Sequence, residues 1–397
     1  MNDELTYFKG THRVIAPQKT IEINKNKLKT AGITRIADIT DLDRIGLPVF
    51  TVIRPTAEDG AISVYGGKGI SKIHAKASGM MEAFERYSAE KQEADEVIIA
   101  NINEILKKGE FIPPESLNLP KDFKKENLES MKLEWSLTHD IITDKDYYIP
   151  SNAIFHPYNY KESLFKSNTN GLASGNILEE AILHGIFEVI ERDAWSIFEL
   201  THKNYAQIDV GSIESDIICE TIDKFESEGI KIKLMDLTAD INIPTIAASA
   251  DDTLTKDAGL LTLGIGTHLD PEVAILRALT EVAQSRATQI NGAREDTVRA
   301  DFAREAGYER MKRINKYYFR QEEEQISLSS IENKSTTLIT EDLEIVKEEL
   351  ISNDIKNILY YNLTRSELDV SVVRVIIPEM EIYAIDSSRA GYRFLKV

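Results

Sequence analysis

The sequence predicts an α+β or α/β fold, with mixed sheets packed against helices. Apolar periodicity alternates between about 2 and about 3.6 residues along the whole chain. The strand-like and helix-like stretches are interleaved, not segregated into blocks. Hydrophobic residues make up 42% and charged residues 28% of the 397 positions, ordinary globular usage that supplies a large core.

In chain order, strand-like patterns cover Pro48 to Ile53 and Ala61 to Tyr65. A glycine loop, Gly66-Gly67-Lys68-Gly69, then leads into a helical pattern from Ile70 to Glu90. The segment from Lys107 to Asp122 holds prolines at 113, 114 and 120 and reads as a surface excursion. Helical patterns follow at Leu178 to Leu200 and Ile213 to Glu228, and strand patterns at Ile230 to Leu237, Thr245 to Ala250 and Leu260 to Ile265. Pro271 to Asn291 and Asp342 to Ile351 are helical, and Val370 to Ile377 is a strand. Ala300 to Ser330 is charge-dense and contains the run Gln321 to Gln325; it reads as a solvated helix followed by a loop. We expect one unit over residues 1–397, with its motifs at about 60–290, a mobile charged stretch at 300–335, and a C-terminal part, 336–397, completing the core.

Charge excludes several functions. With 47 basic and 66 acidic side chains the formal charge is −19, which repels phosphate backbones and anionic lipid. No Lys/Arg block overrides that field, so nucleic acid and membrane surfaces are not expected partners. The lone cysteine, Cys219, rules out an intrachain disulfide and a Cys-based zinc site. No apolar run approaches the roughly 18 residues of a membrane span, and Met1-Asn2-Asp3-Glu4 has no secretory character, so a soluble cytoplasmic protein is the default.

Three helices carry candidate chemistry. Ser78, Glu82 and Glu85 fall at i, i+4 and i+7 of the first, on one face. Glu180, His184, Glu188 and Glu191 form a stripe on the second, which is otherwise mostly apolar. A buried acidic stripe is costly without a counter-charge. Mg²⁺ supplies one, since it is held by a few carboxylates together with phosphate oxygens. Solvated salt bridges are the plain alternative for each Glu-x-x-Glu-Arg taken singly. His184 reads as a packing histidine before a metal ligand. Arg277, Glu281 and Gln284 share a face of the third helix, whereas Arg286 points roughly 140° away from Glu281. The Gly66 to Gly69 loop with Lys68 is a candidate anion site at a helix start, though it lacks the P-loop spacing. Together these features point to a nucleotide held through Mg²⁺ and to phosphoryl transfer.

At these residues the sequence resembles the YcaO superfamily. The matching segments are Gly67-Lys68-Gly69, the run from Ser78 through Glu82 and Glu85 to Arg86, the run from Ser167 through Asn170 and Gly171 to Gly175, Glu188 through Glu191-Arg192-Asp193, and Glu281 through Gln284 to Arg286. Pro378-Glu379 and Ala390-Gly391-Tyr392-Arg393 resemble the family's ending. The resemblance implies ATP-dependent activation of a peptide backbone amide, giving an azoline with a side-chain nucleophile or a thioamide with sulfide. It implies that Glu82, Glu85, Glu188 and Glu191 hold Mg²⁺, and that Lys68, Ser78, Arg86, Ser167, Asn170, Gln284 and Arg286 contact ATP. Glu82, Glu191 and Arg286 would then be the catalytic residues.

Azoline-forming members often end in a proline-rich tail, whereas no proline follows Pro378 in this sequence, and no fused leader-binding domain is expected. With Thr51-Val-Ile-Arg54-Pro55 before the glycine loop, it looks like the methanogen-type members. Those are linked to thioglycine formation in the methyl-coenzyme M reductase alpha subunit, with a TfuA-like protein delivering sulfide. A homodimer is the expected assembly. An azoline-forming cyclodehydratase and a non-catalytic nucleotide-binding scaffold are the alternatives.

Overall fold

The computed structural model describes residues 4–295 and 298–397, with the side chains of residues 298 and 299 outside that description. Met1, Asn2 and Asp3, part of the segment read above as lacking a secretory signal, lie outside the described residues.

The described chain opens with a small hairpin, β1 (Thr6–Tyr7) and β2 (His12–Arg13), followed by α1 (Pro17–Asn24). β3 (Arg35–Asp38), β4 (Val49–Ile53) and β5 (Val64–Lys68) make an antiparallel three-stranded sheet on which α2 (Lys72–Ala89) packs. β6 (Ile98–Ala100), α3 (Ile102–Ile105), β7 (Leu133–Asp140), β8 (Lys145–Pro150) and β9 (Leu172–Gly175) follow, then α4 (Leu178–Thr201). β10 (Ala206–Ile208), α5 (Asp216–Glu226), β11 (Ile230–Asp236), β12 (Thr245–Asp252) and β13 (Thr262–Thr267) lead to α6 (Pro271–Asn291). The remaining elements are α7 (Val298–Ala306), α8 (Tyr308–Ile314), α9 (Lys316–Phe319), β14 (Gln325–Ile326), α10 (Ile339–Ser352), β15 (Leu359–Asn362) and β16 (Ser371–Ile376).

Two large sheets result. One has the order β13-β12-β11-β10-β14, antiparallel except for the β10–β14 pair. The other runs β6-β7-β15-β16-β9, with β8 added beside β7. β9 lies next to β16, so the last strand of the chain completes the sheet that presents α4.

Most elements begin and end within a few residues of the sequence expectation, and Pro271–Asn291 coincides with it. Two local readings are corrected. The stretch from Lys107 to Asp122 is not a surface excursion, because Ile112, Leu117 and Leu119 are buried in a core shared with Trp135 and Phe155. The glycine run is not a free loop either: Gly66, Gly67 and Lys68 belong to β5. The reason is steric. A Cβ on Gly67 would sit 2.1 Å from the Ala75 carbonyl and 2.4 Å from the Gly79 nitrogen of α2. The same device recurs on β13, where a Cβ on Gly264 would sit 2.2 Å from the Ala278 carbonyl of α6. Glycine lets strand and helix backbones approach more closely than any other residue allows.

Arg286 is fully buried on the side of α6 away from Glu281. Its Nε donates to Asp43 Oδ2 at 2.8 Å, and its Nη2 to Asp43 Oδ1 at 3.1 Å and Asp252 Oδ2 at 3.3 Å. Arg44 Nη2 donates to the other oxygen of Asp252 at 2.9 Å. This network ties the β3–β4 connection to the five-stranded sheet. Removing Asp43 leaves the buried Arg286 with only the longer contact to Asp252, so Asp43→Ala should lower unfolding stability in urea by about 3 kcal/mol. A loss below about 0.5 kcal/mol would show that the pair is not structural.

Candidate functional site

A cavity of about 510 Å³ opens between α2, α4, α6, the end of β5 and the N-terminal hairpin. That is within the roughly 300–1,000 Å³ usual for small-molecule sites. Its walls bring together Lys68, Ser78, Glu82, Glu85 and Arg86, then Glu188 and Glu191 with Arg192, then Arg277, Glu281 and Gln284. The three acidic faces expected from spacing alone therefore meet at one place.

The rest of the expected site lies elsewhere. Ser167 does not line this cavity; its Oγ accepts from Tyr158 N at 3.2 Å and lies 3.0 Å from His156 Nδ1. Asn170 lines a smaller, neighbouring cavity. Arg286, held by Asp43 and Asp252, does not reach the cleft, as the 140° offset from Glu281 implies. The α2 start is closed by its own cap, with Ser71 Oγ accepting from His74 N, and Lys68 pairs with Glu281 at 2.5 Å instead of standing free.

Several cleft residues carried no motif. Lys9 to Arg13 come from the hairpin, about 170 positions before the residues they meet on α4. Arg13 Nη1 donates to Glu180 Oε1 at 3.3 Å, and Val14 N donates to Glu180 Oε2 at 3.1 Å. His184 stands between two guanidiniums, with Nδ1 3.2 Å from Arg13 Nη2 and Nε2 3.1 Å from Arg277 Nη1. One ring nitrogen accepts from a guanidinium and the other lies beside the second, so His184 is a packing residue, and burial beside Arg13 and Arg277 holds its pKa well below the ordinary value. The acidic stripe on α4 was the signal that such cations had to exist.

The carboxylates are short of partners. Among the described residues Glu188 has no hydrogen bond or ion pair, Glu85 accepts from Ser174 Oγ at 2.8 Å, and Glu82 meets Arg86 at 3.3 Å. Glu191 is 2% exposed and accepts from Thr267 N at 3.1 Å, with Arg192 beside it at 3.4 Å. Burial, and then the charge of Glu82, push Glu85 up to about 8. Burial also raises Glu191 to about 7 against the opposing charge of Arg192. Glu188 is raised as well, by burial. Uncompensated carboxylates facing a cavity are the donor set that a hard divalent cation uses. No three His, Cys, Asp or Glu side chains among the described residues form a ready-made metal cage. Mg²⁺ does not require one, since it keeps waters and is bound by one or two carboxylates plus phosphate oxygens. The residues present therefore fit Mg²⁺ arriving with a polyphosphate.

The family model described as YcaO cyclodehydratase, ATP- and Mg²⁺-binding, matches residues 66–381. The chain belongs to the YcaO family. ATP and Mg²⁺, expected from the carboxylate faces and from the resemblance, are the ligands of that family. A protein of Methanothermobacter thermautotrophicus is 50% identical over 386 residues, covering 96% of this chain and 98% of that one. A protein of Rhizobium leguminosarum bv. trifolii, named for the tfuA 3′ region, is 30% identical over 93% of this YcaO chain and 89% of its own length. The structure of YcaO from Methanopyrus kandleri bound with AMPPCP and Mg²⁺ has a TM-score of 0.79 at 26% identity, over 98% of each chain. A heterocyclase in complex with substrate and cofactor has a TM-score of 0.82 at 22% identity, over 96% of this chain and 55% of that one, a likeness of fold. The mixed α+β architecture of this YcaO chain is thus the family's own. No helix among the described residues is long and apolar enough to cross a membrane.

The raised Glu85 has a consequence in metal-free protein. Its folded pKa of about 8 lies above the ordinary 4.5, so the folded chain holds a proton that the unfolded chain has already lost. Stability from this group is present at low pH and is lost as pH rises towards and through about 8. Buried His156, His184 and His268, whose pKa values are lowered, are neutral in both states above pH 7, while Glu191, raised to about 7, adds a loss of the same sign that fades above that pH. Melting temperatures in chelator should fall from about pH 7 to about pH 9, and Glu85→Gln should flatten the slope. An upward slope that Glu85→Gln leaves unchanged would contradict this assignment.

Proposed function

We propose that this YcaO protein uses ATP and Mg²⁺ to activate a peptide backbone amide, with sulfide as the nucleophile and a thioamide as the product. The observation that carries the ATP- and Mg²⁺-dependent part is the convergence of Glu82, Glu85, Glu188 and Glu191 on one cavity beside Lys68, Arg86 and Arg192. These carboxylates would hold Mg²⁺, and Ser78, Arg86 and Gln284 would position the nucleotide. Bound ATP would supply the γ-phosphoryl group that the amide oxygen accepts, so that this oxygen would leave as phosphate, beside ADP, while the sulfur of sulfide takes its place on carbon. The chain's own groups then act by orientation and charge. Arg192 and Arg277 balance the negative charge of the cleft, and Leu183, Phe187, Val273 and Leu276 give it an apolar wall that limits water.

The finer assignment rests on the resemblance to methanogen-type members and on the relative named for the tfuA region. In that reading the substrate is a glycine of the methyl-coenzyme M reductase alpha subunit. A TfuA-like protein delivers sulfide, and the enzyme is a cytoplasmic homodimer. The family description, cyclodehydratase, favours a second reading, azoline formation on a Cys, Ser or Thr peptide.

Mass spectrometry separates the two. Protein incubated with the glycine-containing substrate peptide, ATP, Mg²⁺ and sulfide should add about 16 mass units, from exchange of oxygen for sulfur driven by phosphoryl transfer. Loss of about 18 units on a Cys, Ser or Thr peptide without sulfide would establish the azoline reading. In either case Glu82→Gln and Glu191→Gln should lower Mg²⁺-dependent ATP turnover roughly a hundredfold or more with unchanged circular dichroism. Wild-type turnover in both variants would remove the carboxylates from the mechanism.

A further inference from the structure

The smaller cavity beside the cleft is lined by two buried guanidiniums that make no ion pair with a described carboxylate. It has a volume of about 60 Å³ and is lined by Arg374, Arg389, Asn168, Asn170, Phe165 and Met380 among others. Arg374 and Arg389 are each 4% exposed. Arg374 Nε donates to the Ala153 carbonyl at 3.0 Å and Nη2 to Asn168 Oδ1 at 3.3 Å. Arg389 Nε and Nη2 donate to the carbonyls of Asn118 and Leu117 at 2.9 and 2.7 Å, and its guanidinium stacks 3.6 Å from the Phe165 ring centre. In both residues Nη1 has no partner. Neither arginine makes an ion pair with a described carboxylate, and Glu379 at the same cavity is exposed. Burial lowers Arg374 to about 9 and Arg389 to about 10, against the opposing charges of Glu188 and Asp386 respectively.

One acceptor is stranded as well. Asn170 Oδ1 is buried without a donor, while Asn170 N donates to the same Asn168 Oδ1 that accepts from Arg374. The cavity therefore asks for a ligand that accepts at two points and donates at a third. Hydrogen phosphate does both, through its oxygens and its P–OH group. A halide or a carboxylate lacks the donor. The cavity is a few times the roughly 10–15 Å³ that one water needs, which leaves room for a small oxyanion.

We propose that this cavity is a binding site for inorganic phosphate, held between Arg374 and Arg389 and hydrogen-bonded to Asn170. It adjoins the nucleotide cleft, since Thr169 and Leu172 of the same segment line the larger cavity. If the proposed reaction holds, phosphate is one of its products and this is where it rests before release. The binding itself does not depend on that reading.

The test is calorimetric titration of inorganic phosphate into the full chain saturated with AMPPCP and Mg²⁺, against chloride at matched ionic strength. Saturable binding of phosphate is expected. Arg389→Gln and Asn170→Asp should each weaken it about tenfold or more, through loss of a charge-assisted bond in one and an added negative charge in the other. Asn170 is only half-buried, so Asn170→Asp keeps the fold and the test remains readable if Arg389→Gln does not fold. Absence of saturable binding with the nucleotide present, or wild-type affinity in both variants, would overturn the site. Phosphate binding without turnover of any peptide would instead sink the proposed reaction and leave the site standing.

Discussion

The structure is organised around the cost of placing acidic side chains from three helices in the wall of one cavity. Carboxylates lose more from desolvation than they regain from each other, so each must find a cation or keep a proton. This protein does both. Glu180 is met by Arg13 and Glu281 by Lys68, while Glu85 and Glu191 are driven towards their protonated forms. Glu188, without a hydrogen bond or ion pair among the described residues, is driven the same way by burial. An apo cleft in that condition is poised for a divalent ion, whose charge locally reverses the field and lets a polyanionic nucleotide enter a chain of net charge −19.

The scaffold explains how three such helices come so close. Each packs on a strand that carries glycine at the contact, β5 under α2, β9 under α4 and β13 under α6. Buried ion pairs then fix the helices from behind. Arg286 anchors α6 through Asp43 and Asp252. Arg393 anchors α4 through Asp193 at 2.9 Å, and the fully buried Glu381 gathers the backbone nitrogens of Gly391 and Arg393 at 2.8 and 2.9 Å. The C-terminal segment that resembles the family's ending thus holds the back of the helix that presents Glu188 and Glu191.

Much of this was legible in the sequence, and the reasons are physical. Helix periodicity placed Glu82 with Glu85, and Glu188 with Glu191, because faces follow from spacing alone. Periodicity also pointed Arg286 away from the site, where the resemblance had put it at ATP; in the structure it pairs with Asp43 and Asp252. What spacing cannot show is long-range closure. The hairpin carrying Arg13 reaches α4 from about 170 residues away, and no local pattern announces it. The glycine run misled for a related reason. In sequence Gly66 and Gly67 look like a turn, and only the helix lying on β5 shows that they are a contact. Ser167 and Asn170 were expected at the nucleotide, yet they face His156 and the smaller cavity.

The central claim is that the carboxylates of α2 and α4 jointly hold Mg²⁺ and a nucleotide. The most direct measurement is a crystal structure of this protein with AMPPCP and Mg²⁺, read for the metal ligands. The account predicts metal density between the two helices, with oxygens of Glu82 or Glu85 and of Glu188 or Glu191 at about 2.0–2.1 Å and the remaining positions filled by phosphate and water. Nucleotide bound elsewhere, or metal density without a carboxylate from each helix, would contradict it.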